Sequence, residues 1–576
     1  MCTCQNFTGG AGLAEIELKL AAGSDQLQQV RQALEAMGGA TAARTSVLTS
    51  TYYDSPDLKL WKHHLSLRIR ERDGQRIQTL KSDGFAHEDL LSRGEWEDVI
   101  TGDRPDLTVP QTGPRFNNLV VRDELRPIFV TTVHRAVIDL HPEPSTLIEA
   151  AIDEGEICGA AGGAAEPLSE VELELKSGEP PAIYDMALWL LSVAPLRIET
   201  RSKSERGYRL VAPNGQAVQA VHAKPIALSG AMTVDAVLQS IGRACISHLL
   251  LNEPAALAGD PEGIHQIRVA TRRLRSALLA LKPLLPADHH GWAGDELKWL
   301  AGALAPARNW DVFLTSLVEP VQQALPLETD LKHLIEAAEQ ERRTAHESAR
   351  EAIRSPRYSG ATLKLARWFE ARGWREDPAS EQAALLFATV GEVAPSLIER
   401  CWRQARKRSK RFSELSQEQR HQLRIALKNL RYTIEFLQSL FEGRRVKSLA
   451  KRLKPVQEDL GHLNDIRTAR PLVEEIAGHA DPRNGEISRA GGIVLGWHDR
   501  GLIDHEPELR KCVRRLRKAK PFWSKVHGSP GAPLELREKE ADTTATGEAA
   551  PAAVIPAPEG AAEPVVKVFV GDDPVR

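Results

Sequence analysis

Two short stretches of this chain carry acids at every second residue: Glu15 and Glu17, then Glu170, Glu172 and Glu174. On an extended strand such residues share a face about 7 Å apart, a spacing suited to hard, oxygen-preferring cations such as Mg²⁺ or Mn²⁺. Three other stretches supply Arg68, Arg70, Lys81 and Arg135. A solvated face would mix the two signs along each strand. Their separation points to a β channel with a carboxylate wall and a cationic wall, whose natural guest is a metal-bound polyanion.

The elements that must hold these groups follow from period. From Ala11 to about Leu210, runs such as Glu15 to Leu20, Ser66 to Arg70 and Glu170 to Lys176 alternate charged and apolar residues, which predicts strands. From about Thr233 to Trp523 the pattern turns helical. The expected division is a strand domain over 11–212, a linker over 213–230, a helical domain over 231–527 and a disordered tail over 528–576. The tail holds nine acids against four bases and is rich in Ala, Pro and Gly.

In family order the strand region reads Glu15-x-Glu17-x-Lys19, Tyr52-Tyr53-Asp54-Ser55-Pro56-Asp57, Leu67-Arg68-Ile69-Arg70, Thr79-Leu80-Lys81 and Arg93-Gly94-Glu95-Trp96-Glu97. Arg135, Asp153-Glu154-Gly155, Ser169 to Gly178 and Ser202-Lys203-Ser204-Glu205-Arg206-Gly207-Tyr208 follow. This series resembles the CYTH domain of class IV adenylyl cyclases and thiamine triphosphatases, the triphosphate tunnel metalloenzymes. The resemblance implies an eight-stranded antiparallel tunnel with flanking helices, binding a triphosphate end-on. It implies that Lys19, Arg68, Arg70, Lys81, Arg135 and Lys203 grip phosphate oxygens, and that Glu15, Glu17, Asp153, Glu170 and Glu172 hold Mg²⁺ or Mn²⁺. Glu95 and Glu174 are further members of the acidic set. The extended Glu-Val-Glu-Leu-Glu-Leu-Lys-Ser-Gly run resembles the inorganic triphosphatase branch, so tripolyphosphate is the expected substrate, with cyclisation of ATP as the alternative within the fold.

The helical region repeats itself. His265, Arg268, Arg272 and Arg275 recur as His421, Arg424, Lys428 and Arg431, 156 residues later. At ~100° per residue each set falls in an arc of about 80°, opposite Ile267, Leu274 and Leu278 or Leu423, Leu430 and Ile434. Leu304 to Val312 and Leu460 to Ile466 also repeat, which predicts an internal duplication that brings two basic stripes to one groove. Like charges one turn apart repel. Asp311 and Asp465 are candidate internal partners, and a bound polyanion is expected to supply the rest. Metal binding by the histidines is disfavoured by Arg and Lys at the liganding offsets. Acid-free windows at Arg403 to Arg411, Arg444 to Lys454 and Arg510 to Lys520 enlarge the positive lattice.

The segments from Gly263 to Arg275 and from His421 to Tyr432 resemble the CHAD domain, a module of paired four-helix bundles. That resemblance implies non-catalytic binding of inorganic polyphosphate by the two stripes and Arg273.

Length and composition bound these readings. A chain of 576 residues, 42% hydrophobic, can bury more than one core. With 75 basic against 78 acidic residues it is no uniformly basic nucleic-acid coat. Nucleic acid is disfavoured further because the stripes lack interleaved aromatics for stacking bases. Six cysteines, four of them isolated, make no disulfide framework and point to a reducing compartment. Cys2 and Cys4 lack a second ligand pair. The longest apolar stretch noted, near Met186 to Leu196, is half a membrane span. A cytoplasmic protein with no membrane partner is expected, at polyphosphate granules. A polyphosphate-binding scaffold without turnover is the rival to the enzyme.

Overall fold

The computed structural model describes residues 16–72, 74–82, 94–116, 119–160, 162–212, 218–285, 291–375, 381–478 and 484–523. Glu15, Cys2, Cys4 and the 528–576 tail lie outside them.

Alternation makes the first half a sheet. Its strands are β1 (Ile16–Ala21), β2 (Arg44–Asp54), β3 (Leu65–Arg72), β4 (Gln75–Ser82), β5 (Gly94–Ile100), β6 (Arg126–Leu140), β7 (Leu147–Gly159), β8 (Ala165–Ser177) and the two-residue β9 (Arg197–Ile198). They pair antiparallel in the order β5-β4-β3-β2-β6-β7-β8-β1-β9. The even positions of β1 and odd positions of β8 turn Leu18, Leu20, Val171 and Leu173 outward, where α1 (Ser24–Glu35) covers them with Leu27, Val30 and Leu34. A second cover is α3 (Pro181–Val193), with Ile183, Ala187 and Leu190, after the short α2 (Lys59–Lys62).

The inner face holds α4 (Lys203–Val211), capped by Ser202, whose Oγ accepts from Glu205 N at 3.1 Å. Tyr208 stacks on Trp61 at 4.7 Å and meets Phe129 edge-on at 5.3 Å, and Phe129 stacks on Tyr52 at 4.4 Å. This aromatic plug fills the concave face at one end. Gly207 passes so close that a Cβ there would lie 2.1 Å from the Phe129 ring.

The helical half begins with α5 (Val234–Leu251), α6 (Glu253–Leu257), α7 (Pro261–Leu281), α8 (Gly291–Ala303), α9 (Ala305–Val312), α10 (Glu319–Ala324), α11 (Asp330–Arg354) and α12 (Pro356–Glu370). It continues with α13 (Glu381–Phe387), α14 (Val390–Arg408), α15 (Gln417–Leu437), α16 (Gly443–Gly478) and α17 (Asn484–Arg517). The 156-residue offset carries α7 onto α15 residue for residue and the start of α5 onto the start of α14. Backbone bonds confirm the twofold relation: Val234 N donates to Ala388 O, and Val390 N donates to Met232 O. Thr233 and Thr389, the N-caps of α5 and α14, bridge each other there.

The expected linker is anchored where it is described. Ile226 and Leu228 are buried, and Val221 bonds the Asn252 and His248 side chains. The halves share one continuous core, and α3 also packs on α12, with Asp185 paired to Arg367. Val234–Leu257 has the length and hydropathy of a membrane span, more than the Met186 stretch does, and most of it is buried inside the helical core.

Replacing Gly207 by Ala is expected to cost about 1–3 kcal/mol by overpacking against Phe129. Gly461→Ala, in open space within α16, should be neutral or stabilising by up to about 1 kcal/mol. Thermal melts compare them; a Gly207→Ala protein as stable as wild type would show that α4 is not seated against Phe129.

Candidate active site and polyanion groove

Pairing across a sheet keeps partners on one face, so the ladders can be followed from residue to residue. Glu17 faces Glu174, and Lys19 faces Glu172. Asp153 stands between Glu170 and Arg135. Arg135 faces Ser46 on β2, where Ser50 and Tyr52 face Arg70 and Arg68. Ser66 then leads to Lys81, and Lys81 to Glu95. Every described tunnel residue expected from the sequence, apart from Lys203 on α4, lies on this one inner face. In a flat sheet, four strand steps would separate Arg70 from Glu172 by about 19 Å. Yet Glu172 acts electrostatically on Arg70, so the sheet is curled around its charged face.

At the centre, one carboxylate oxygen each of Asp153, Glu170 and Glu172 lies within 4.8 Å of the others, and all three residues are buried. Lys203 reaches them from α4, at 2.8 Å from Asp153 and from Glu172, and is paired with Glu170. Arg135 grips Asp153 with two bonds of 2.7 and 2.5 Å and also pairs with Glu172. Lys19 bridges Glu17, at 2.6 Å, and Glu172. Burial opposes charge on Glu172, Lys203, Lys19 and Arg135, but the partners outweigh it. Glu172 is held well below the ordinary glutamate range by Lys19, Lys203 and Arg135. Lys203 is raised by Glu172, Glu170 and Asp153, and Lys19 by Glu17 and Glu172, again against burial. The stability this gives Glu172 is present at neutral pH and is lost only on acidification below its unperturbed value of 4.5.

The donor set fits a divalent metal. Three buried carboxylates supply hard oxygens, and Glu170 Oε2 accepts no hydrogen bond although Arg206 Nη1 stands 3.6 Å away. Glu17 and Glu174 lie outside this triad, paired with Lys19 and with Lys176 at 2.5 Å. Glu95 is further off, at 3.3 Å from Arg68 and 2.5 Å from Lys81. Burial and Arg68 push Arg70 down to about 10. The expected separation into an acidic and a basic wall is therefore corrected: Lys19 and Lys203 penetrate the acids, and Glu95 sits among the bases. Interleaving is the physical necessity, since buried like charges without partners would cost several kcal/mol apiece. Arg206, also on α4, bonds Glu166 at 2.7 Å and stands beside Glu170, a further cation of the site that the sequence motif contains but does not assign.

The second site lies where α7 and α15 pack together, with Ser276 Oγ donating to Asn429 Oδ1 at 3.3 Å. Arg272 acts on both Arg424 and Lys428, so the two stripes meet. Acids are scarcer in this cluster than in the tunnel, with Asp465 beside Arg424 and Lys428, while Arg268 Nη1 donates to Ala301 O at 2.8 Å. Among its buried donors, Nε of Arg268, Arg272 and Arg424 makes no hydrogen bond, nor does Nδ1 of His265. Burial, then Arg424, Arg272 and Arg431, push Lys428 down to about 6 against Asp465. Burial and Arg308 push His265 to about 4, and burial with Arg272 and Arg308 brings Arg268 to about 10. His421 stands 3.1 Å from Asn464 and 3.4 Å from Arg467, whose charge opposes a metal ion there. At the outer ends Arg275 is exposed, and Arg431 pairs with Glu435 at 3.2 Å.

Two sequence assignments change. Arg273 is buried on the far flank of α7, 5.3 Å over the Phe436 ring, and acts on His248 and Glu435. Asp465 does face Arg424 and Lys428, but Asp311 bonds Arg342 at 2.8 Å and His346 at 2.9 Å on α11. The duplication pairs Asp465 with Asn309; two residues more turn a helical side chain by ~200°, away from the groove. Arg308 and Arg467 take the places beside the histidines that helical spacing alone did not reveal.

A CYTH domain model matches residues 13–208 and a CHAD domain model residues 240–474. An inorganic triphosphatase of Haemophilus influenzae is 33% identical over 198 residues, 34% of this chain and 55% of that protein. An uncharacterised protein of Mycobacterium tuberculosis is 29% identical over 290 residues, 48% of this chain and 53% of that one. The chain thus spans about half the length of the curated relatives it matches. The crystal structure of the CHAD domain from the plant Ricinus communis aligns with a TM-score of 0.46 at 28% identity, covering 52% of this chain and 99% of that one. The charged inner face and the twinned basic helices fall within the matched segments, and the chain carries a CYTH domain joined to a CHAD domain.

Proposed function

We propose that this chain is a divalent-metal-dependent inorganic triphosphatase that splits tripolyphosphate into phosphate and pyrophosphate, and that its helical half binds long-chain inorganic polyphosphate. The observation that carries the enzyme reading is the buried Asp153, Glu170 and Glu172 triad interleaved with cations on one curled face. The Haemophilus relative named as an inorganic triphosphatase supports the substrate class.

Tripolyphosphate oxygens would replace carboxylates as partners of Lys19, Arg135 and Lys203, freeing the acids now paired with them. Arg68, Arg70 and Lys81 hold the remaining oxygens, the guanidinium groups by paired bonds. Mg²⁺ or Mn²⁺ held by Asp153, Glu170 and Glu172 would draw charge from the phosphoanhydride. The apolar plug of α4 buries Tyr208 against Phe129 and Tyr52 beside these cations. Glu17, the more exposed acid beside Lys19, would complete the metal-holding set or orient water for in-line attack. In the groove, the unbonded Nε donors of Arg268, Arg272 and Arg424 support polyphosphate as ligand, because a linear polyanion would supply the acceptors they lack.

Phosphate release from tripolyphosphate should require Mg²⁺ or Mn²⁺ and should fall by about 100-fold or more in Glu170→Gln and in Arg70→Ala. Release without added metal in the presence of chelator, or full activity in both variants, would remove the hydrolase reading.

Polyphosphate binding should strengthen as pH falls. Lys428 is ringed by Arg424 and Arg431 on α15 and Arg272 on α7, with Asp465 on α16, and titrates at about 6 in the free protein. A polyanion binds its charged form, raises that value and draws in a proton, so affinity grows from about pH 8 down to about pH 6. Calorimetry in buffers of different ionisation enthalpy should detect the uptake, and Lys428→Met should reduce it; unchanged proton uptake would assign it elsewhere.

A further inference from the structure

The three acid-free windows, at 403–411, 444–454 and 510–520, come together in the fold. Helices α16 and α17 are antiparallel: His462 meets His498 at 3.2 Å and Asp459 meets His505 at 3.3 Å. The first turns of α16 therefore lie beside the last turns of α17. Phe441, before α16, touches Phe522, after α17, with ring centres 5.3 Å apart. Trp523 packs on Trp402 of α14 at 5.8 Å and donates to Glu399 at 2.9 Å, which brings in the third window.

The acids bordering this face are occupied. Glu442 takes Arg445 and Glu458 takes Lys454, while Glu506 and Glu508 take Arg510, Lys511 and Arg515. Lys447, Lys451, Arg452, Arg514, Lys518 and Lys520 are exposed and make no ion pair among the described residues. Lys447 with Lys451, and Arg514 with Lys518, stand one turn apart and repel. The face also adjoins the groove. Helix α15 runs antiparallel to α16, with His421 beside Asn464 and Gln457 donating to Leu427 O at 2.9 Å, so the stripe from His421 to Arg431 climbs toward the first turns of α16.

We propose that this face is an outer polyanion surface, continuous with the groove, that holds the length of a long inorganic polyphosphate chain extending beyond the groove. It rests on the polyphosphate reading of the groove and adds a chain-length preference to it. The ligand is a phosphate chain and not a nucleic acid, because the aromatic residues gathered here, Trp402, Phe441, Phe522 and Trp523, are buried under the cations and offer no ring for stacking bases. A chain reaching both regions binds the second at high effective concentration, whereas tripolyphosphate fills only the first.

The test compares short- and long-chain polyphosphate binding by the full chain and by Lys447→Gln/Lys451→Gln/Arg514→Gln/Lys518→Gln, four exposed changes whose folding is checked by circular dichroism. Wild type should favour the long chain by about tenfold or more. The variant should bind short chains as wild type does, lose the long-chain advantage and show a shallower salt dependence. An undiminished long-chain advantage in the variant, or an equal loss for both lengths, overturns the proposal. Single-stranded nucleic acid competing as well as long polyphosphate overturns the choice of ligand. Wild type binding neither length overturns the groove reading, and this surface with it.

Discussion

Removing a charge from water is expensive unless a partner replaces the lost solvation, and both charged sites of this protein are answers to that constraint. In the β half the partners are internal. Lys203, Lys19 and Arg135 meet Asp153, Glu170 and Glu172 in a closed set of ion pairs. In the helical half they are fewer, chiefly Asp465 and Glu435, and Nε of Arg268, Arg272 and Arg424 stays buried and unbonded.

That contrast separates the chemistry of the two sites. On the proposed reading, a ligand entering the tunnel would exchange partners with groups already neutralised, so affinity would be tempered while each group is held in place for reaction. On the same reading, a polyanion entering the groove would relieve repulsion that folding left uncompensated, which would favour capture over turnover. Half-buried Lys428, brought to about 6 by its surroundings, measures how far the groove is from self-neutrality.

The scaffolds match these tasks. A sheet is suited to interleaved signs because its register sets acid against base strand by strand, as Lys19 against Glu172 and Arg135 against Asp153. A helix pair suits a continuous positive track, since each helix can bury one flank and leave one stripe of cations. The twofold contact at Thr233 and Thr389 lets one such helix serve twice.

Much of this was legible in the residues. Alternation places Glu17, Lys19, Glu170, Glu172 and Glu174 on one face whatever the fold, because side-chain direction along a strand is a local property. Helical spacing likewise fixes the stripes of α7 and α15, and the repeat announces their twofold pairing. Glu15 lies beyond the described residues. Arg273 and Asp311 were misplaced because membership of a motif says less than angle around a helix. Which acid meets which base was decided only by tertiary structure. The curl of the sheet, the entry of α4 with Lys203 and the crossing of α7 with α15 join residues far apart in the chain, and Coulomb energy depends on that final distance and burial and not on sequence separation.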